Sequence, residues 1–359
     1  MARLSPAPGT RIPFLLGLFV FFVVNTAVAG EPQRFQFAQG HMGALFRIVL
    51  YAPDETLAKK ASDAAFARIA QLDGIMSDYK PDSELMLLCQ RAGGDPVPVS
   101  ADLFEVLNQS LVAARRSNGA FDITVGPLVR LWRLTRHNRE LPPPTVLARA
   151  KELVGYDNVV LDEKDHTVRL LKPGMQLDLG GIGKGFANDK AMAVLKEQGI
   201  TSALVVAGGE MTASAPPPGR EGWTIGIAPL DNPDKAPSLY LLLRDGAIST
   251  SGDAEQFVEI NGTRYSHILD PKTGLGLTGH SSVTVVAPNG TTSDWLATAV
   301  SVMGPEQGLK MVESSLGVAA LILQATKDGD KVYESQRWKD VPKTGPKTEK
   351  AEPKATGAH

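Results

Sequence analysis

The chain has one cysteine, Cys89, in 359 residues. A single thiol closes no internal disulfide, so the fold must be held by its core. Neither charge dominates: 37 Lys and Arg stand against 39 Asp and Glu, and the basic residues form no stripe. That excludes an electrostatic nucleic-acid surface, and no nucleic acid is expected as a partner. Histidines are few, and none joins Cys89 in a zinc-type spacing. Long apolar runs are missing as well, with one exception from Ile12 to Val24. It is short for a spanning helix, which needs roughly 20 residues.

That run follows Arg3 and Arg11 and precedes Ala27-Val28-Ala29, a small-x-small triplet. The order is that of a secretory signal over residues 1–29, cleaved after Ala29, with an uncleaved membrane anchor as the alternative. Arg3 and Arg11 are not a twin-arginine pair, and no Cys near position 29 could carry a lipid. A soluble periplasmic protein is expected, associated with the membrane only if the signal stays. Residues 343–359 are rich in Lys, Pro, Thr and Glu without apolar periodicity, a tail expected to be disordered. Between them, residues 30–342 show no dividing linker and are expected to form one domain.

Within this body both periods occur. Ala44 to Tyr51 predicts a strand, and Leu57, Ala61, Ala65, Ile69, Leu72 and Met76 predict a helix by their three- and four-residue steps. A second helix is expected from the cap Ser100 to Gly119, and a third after Pro142-Pro143-Pro144, ending near Leu153. Residues 159–161 and 168–171 predict a hairpin, and Met175 to Leu179 a short strand entering a glycine cluster. Phe186 to Gln198 predicts a helix. Strands are then expected at 203–206, 223–227, 239–243 and 282–286, a helix from Ser293 to Met303, and a strand from Leu316 to Leu323.

Four polar segments stand out. Asp178-Leu179-Gly180-Gly181-Ile182-Gly183-Lys184-Gly185 lies between the expected strand and helix, where free N–H groups and the helix dipole favour phosphate. It is neither a P-loop nor a G-x-G-x-x-G fingerprint, because the residues at the required offsets are wrong. A tight structural turn explains the glycines equally well. Gly119 to Pro127 holds Phe121 and Asp122 just after a helix. His267, three places before the Asp270-Pro271 turn, is a general-base candidate. Asp294 and Thr298 are four apart, so their oxygens share a helix face and suit a hard cation such as Mg²⁺. Equally, Ser293 would be an N-cap and Asp294 a first-turn carboxylate facing the dipole.

Taken in order, these segments resemble the ApbE family of FAD:protein FMN transferases. The resemblance runs from about Met42 to Leu323. It rests on Met42-Gly43, Ser77-Asp78-Tyr79 with Ser83-Glu84, Gly119 to Leu128, Asp178 to Gly185, Gly208-Gly209, Thr250-Ser251-Gly252, Ser266 to Gly274, and Asp294 with Thr298. It implies a single α+β domain, β-sheets flanked by helices, with the active site in a cleft between two halves. It implies Mg²⁺-dependent transfer of FMN from FAD, through phosphate, to a Ser or Thr hydroxyl of an acceptor protein, with AMP leaving. Met42, Tyr79, Ala120, Phe121, Asp122, Asp178, Lys184 and Leu269 would line the FAD site. Carbonyls of Gly181 and Ala297, with the side chains of Asp294 and Thr298, would hold the metal, and His267 would be the base. The acceptor would be an electron-transfer subunit or redox domain.

The chain departs from the family at Ala44 (usually Thr), Leu88-Cys89 (Leu-Asn), Gly183 (Ala) and Glu210 (Asp). None of these is an expected metal side chain or the base. Two other readings use the same residues: a hydrolase splitting FAD into FMN and AMP, and a flavin carrier without chemistry. A carrier would need neither Asp294 nor His267.

Overall fold

The strand Ala44–Ala52 is apolar on both faces, and its surroundings explain why. Successive strand side chains point to opposite sides. Ile48 and Leu50 join one buried cluster while Val49 joins another. The same division holds for Val205 against Leu204 and Val206, and for Ala320 and Ile322 against Ala319 and Leu321. Both faces of the sheet are therefore covered, and its strands Ala44–Ala52 and Ala203–Ala207 read as nearly continuous apolar runs.

The computed structural model describes residues 31–230, 235–253 and 256–345. The expected signal over residues 1–29 lies outside them, as does the tail from residue 346. The main sheet has eight strands, each antiparallel to its neighbour. In spatial order they are Gln33–His41, Ala44–Ala52, Ala203–Ala207, Glu210–Ala213, Gly246–Gly252, Ser281–Ala287, Ala319–Thr326 and Gly329–Glu334. Among the described residues seven α-helices accompany it: α1 (Glu55–Met76), α2 (Glu84–Gln90), α3 (Ala101–Arg116), α4 (Gly126–Asn138), α5 (Pro144–Glu152), α6 (Gly183–Glu197) and α7 (Gly290–Glu313).

Helices α1, α6 and α7 bury Ile69, Leu72, Phe186, Leu195, Leu296 and Val300 against one sheet face. A three-stranded sheet with Trp223, Ile225 and Leu241, joined by Trp338, covers the other. A third cluster links Leu128 and Trp132 of α4 and Ala150 of α5 to Val258, Ile260 and Leu269. The last three lie on Phe257–Ile260 and Thr263–Leu269, strands of a separate sheet. This smaller mass faces the start of α6 across a cleft, as expected of an α+β domain with its site between two halves.

Four expectations need correction. Met175 to Leu179 is extended but joins no ladder, because its N–H groups bond elsewhere: Leu177 to Cys89 Sγ and Asp178 to Ile123 O. The cap of α7 is Asn289, whose side chain accepts from Thr292 N, so Ser293 and Asp294 lie beyond the first turn. Leu316 is not in a strand; it sits in a turn, 93% exposed, and the strand starts at Ala319. Lys343 and Thr344, assigned to the tail, instead pair as a strand with Leu241 and Tyr240.

Candidate active site

The glycine segment becomes a turn that opens directly into α6. Asp178 Oδ1 accepts from Gly180 N at 2.8 Å, and the Ile182 and Gly183 N–H groups fold back onto Leu179 O. The positive end of the α6 dipole thus lies at the cleft. Lys184, on the first turn of α6, is buried, with Nζ 3.0 Å from Glu210 Oε2. Burial pushes the Glu210 carboxyl up to about 8, against the pull of the Lys184 charge.

From α7, Asp294 reaches the same turn. It is 1% exposed, and its Oδ2 accepts from Gly185 N at 2.8 Å. Its Oδ1 has no hydrogen-bond partner. Burial raises this carboxyl to about 6, opposed by Lys184. Thr298 follows one helical turn later. A Cβ placed on Gly181 would lie 3.0 Å from Thr298 Oγ1, so the hydroxyl sits against the glycine turn. A lone buried carboxylate oxygen normally needs a partner, and oxygen donors of this kind fit a hard cation. Ala297 fits less well, since its carbonyl already accepts from Ser301 Oγ at 2.8 Å. Among the described residues no three His, Cys, Asp or Glu side chains converge, so any cation here relies on hydroxyl and carbonyl oxygens beside one carboxylate.

Across the cleft stands His267, in the strand Thr263–Leu269. Its Nδ1 lies 3.2 Å from Gln256 O, which also accepts its backbone N–H at 3.1 Å. A carbonyl can only accept, so Nδ1 carries the proton and Nε2 is the acceptor nitrogen. Burial lowers its pKa to about 4, with Lys184 and Arg136 adding to the effect against the contact with Gln256. The imidazole is therefore neutral at pH 7.

The cleft holds about 500 Å³, within the range of small-molecule sites. Met42, Tyr79, Ala120, Phe121, Asp122, Asp178, Gly181, Lys184, His267, Leu269 and Thr298 all line it; Asp294 and Ala297 lie just behind. Met42 occupies the left-handed region at φ 50° in the hairpin turn before Ala44, with its Cε over Gly183. Asp122 lines the cleft and also has a structural part. Oδ1 accepts from Thr124 N and Oγ1, and Oδ2 from Tyr156 N, so the carboxylate holds its own turn and ties it to the segment at Tyr156.

Sequence reading missed Arg133. Its guanidinium bonds to Asp78 and lies 3.7 Å from Asp178 and 4.1 Å from the Tyr79 ring centroid. Burial and the neighbouring Asp78 charge raise Asp178 to about 6. The available signal was Gly126-Pro127: proline at the second helical position starts α4, and Leu128 and Trp132 follow at helical spacing. Gln256 lines the cleft too and carried no signal, since it acts through its carbonyl.

A dipole-backed turn, a cation-ready carboxylate and a neutral imidazole suit an enzyme of group transfer on an anionic substrate. The chain belongs to the ApbE family, whose model matches residues 42–322. A FAD:protein FMN transferase of Treponema pallidum is 34% identical over 326 residues, covering 86% of this chain and 90% of that protein. One from Haemophilus influenzae is 31% identical, covering 84% and 90%. Among solved structures, the flavin transferase ApbE from Vibrio cholerae superposes with a TM-score of 0.77 at 29% identity, covering 86% of this chain and 99% of that one. The apo form of the Pseudomonas stutzeri flavinyl transferase ApbE gives 0.78 at 28%, covering 88% and 99%.

Proposed function

We propose that this protein transfers FMN from FAD to a Ser or Thr hydroxyl of an acceptor protein, with Mg²⁺, and releases AMP. The observation that carries the reading is the buried, partnerless Asp294 Oδ1 beside the turn that opens α6. The relatives' names supply FAD, FMN and a protein acceptor. In this reaction the acceptor oxygen attacks the FMN-side phosphorus. The bond from that phosphorus to the bridging oxygen breaks, AMP departs with the electron pair, and a phosphoester forms.

The chain's residues divide the work. The start of α6 and Lys184 face the diphosphate and offset its negative charge. His267 Nε2 takes the proton of the attacking hydroxyl while Gln256 O keeps Nδ1 protonated and the ring oriented. Substrate phosphates counter the Lys184 and Arg136 charges that depress His267, so its basicity rises once FAD is bound. Asp294 Oδ1 and Thr298 Oγ1, with the Gly181 carbonyl, would hold Mg²⁺, and Ala297 would contribute only through a carbonyl shared with Ser301. When bound, Mg²⁺ neutralises charge on the pyrophosphate. Tyr79 and Phe121 offer aromatic surface to the flavin or adenine.

The signal-like residues 1–29 support a periplasmic setting. No helix among the described residues is long and apolar enough to cross a membrane. The test is incubation with FAD, Mg²⁺ and a Ser/Thr-containing acceptor, followed by in-gel flavin fluorescence and AMP measurement. Labelled acceptor with equimolar AMP is the expected result. AMP without label would make the protein an FAD hydrolase, and neither product would make it a carrier.

A further inference from the structure

Helices α6 and α7 begin against each other in a reciprocal arrangement. From α7, Asp294 accepts the Gly185 N–H of α6. From α6, Asp189 accepts the Gly290 and Thr291 N–H groups of α7 at 2.7 and 2.8 Å. Each carboxylate stands four residues after a glycine, Gly185 to Asp189 and Gly290 to Asp294. Each glycine is needed for the approach: a Cβ on Gly290 would lie 2.6 Å from Gly185 O, and one on Gly185 would strike Gly290 O.

The two carboxylates differ in one respect. Asp189 also accepts Thr291 Oγ1 at 2.7 Å and Thr212 Oγ1 at 3.3 Å, which uses both its oxygens. Asp294 keeps Oδ1 without a partner. Asp189 does not line the cleft; it lies on a separate pocket with Lys190 and Asn289. Whatever it does at the cleft passes through α7.

We infer that Asp189 is a positioning residue for Asp294: by gripping the first two N–H groups of α7 it fixes where Asp294 Oδ1 and Thr298 meet the glycine turn. The inference rests on the reading that these two side chains hold Mg²⁺. In Asp189→Asn the amide NH₂ must face the donors of either Gly290 and Thr212 or Thr291, so one side of the grip is lost. Residues that orient metal ligands typically govern affinity by roughly 10–100-fold. A carboxylate that merely stabilised the fold would lower the melting temperature and leave cation affinity in the folded protein unchanged.

The experiment is Mn²⁺ binding to the full chain, followed by electron paramagnetic resonance well below the melting transition. Asp189→Asn should weaken Mn²⁺ binding about tenfold or more. Arg68→Ala, which removes the distant Arg68–Asp102 ion pair, should lower stability without changing Mn²⁺ affinity. If Asp189→Asn does not fold, Thr291→Val deletes one bond of the grip and should weaken binding at least about twofold. Unchanged Mn²⁺ affinity in a folded grip variant, with binding lost in Asp294→Ala, would overturn the positioning role and leave the metal reading intact. Retained binding in Asp294→Ala would overturn the metal reading itself.

Discussion

Asp122 and Asp294 are both buried aspartates at the edge of one cleft, yet their oxygens have opposite fates. Those of Asp122 accept three hydrogen bonds, two from Thr124 in its own turn and one from the Tyr156 N–H of a distant segment. Asp294 accepts one, from Gly185, and leaves Oδ1 bare. Burial raises the pKa of both. What separates a structural carboxylate from the proposed cation ligand here is therefore the accounting of lone pairs, not depth or charge.

Breaking the comparison at its stronger end should give the largest effect. Asp294→Ala removes the bare oxygen, and AMP formation should fall by at least roughly 10³-fold, the upper end of the cost of one transition-state electrostatic contact. Quantifying AMP by chromatography checks this, and normal turnover would remove Asp294 from the metal site. His267→Ala comes next. The rate should drop roughly 10²- to 10⁴-fold, the usual contribution of a general base, while FAD affinity in a fluorescence titration stays within a few-fold. Equal rates would clear His267 of the role.

The pH profile sharpens this assignment. A base works only when unprotonated, and burial holds His267 down to about 4 in the free protein. The acidic limb of kcat/KM, which reports the free enzyme, should fall near pH 4 and not near the ordinary imidazole value. The limb of kcat should lie higher, because bound phosphates counter Lys184 and Arg136. A kcat limb at or below that of kcat/KM would contradict the charge argument.

Asp122→Ala tests the other half of the comparison. It strands the Thr124 and Tyr156 donors and should cost roughly 1–3 kcal/mol of stability, seen as a lower urea midpoint. Turnover below the unfolding temperature should change only a few-fold. A loss of FAD binding in a fully folded variant would instead make Asp122 a ligand residue.

How much of this could be read beforehand follows the same physics. The helices α1, α3 and α6 declared themselves through apolar spacing, and Asp294 with Thr298 through their four-residue step. The strand Gly246–Gly252 stayed hidden although it is wholly buried. Its Ser249 and Thr250 pair with Ser293 and Thr284, so hydroxyl bonding replaces the apolar pattern. Asp178 was legible as a residue but not in its surroundings, since Asp78 and Arg133 come from distant segments. Asp122 and Asp294 look alike in sequence because hydrogen-bond satisfaction depends on partners that only the fold assembles.

Tyr79 supplies the smallest expected effect and a way to separate transfer from hydrolysis. The residue is 71% exposed, with the Arg133 guanidinium on one face of its ring. A substrate ring must stack on the other face or displace Arg133, and such contacts contribute roughly 0.5–1.5 kcal/mol. Tyr79→Ala should therefore raise KM for FAD about two- to tenfold with kcat little changed. If the ring also shields the phosphorus, water gains access in the variant, and AMP should exceed labelled acceptor. Arg133→Ala frees the ring without removing it, so it should leave that ratio at one. A shift of the ratio in Arg133→Ala but not in Tyr79→Ala would transfer the shielding role from the ring to the guanidinium.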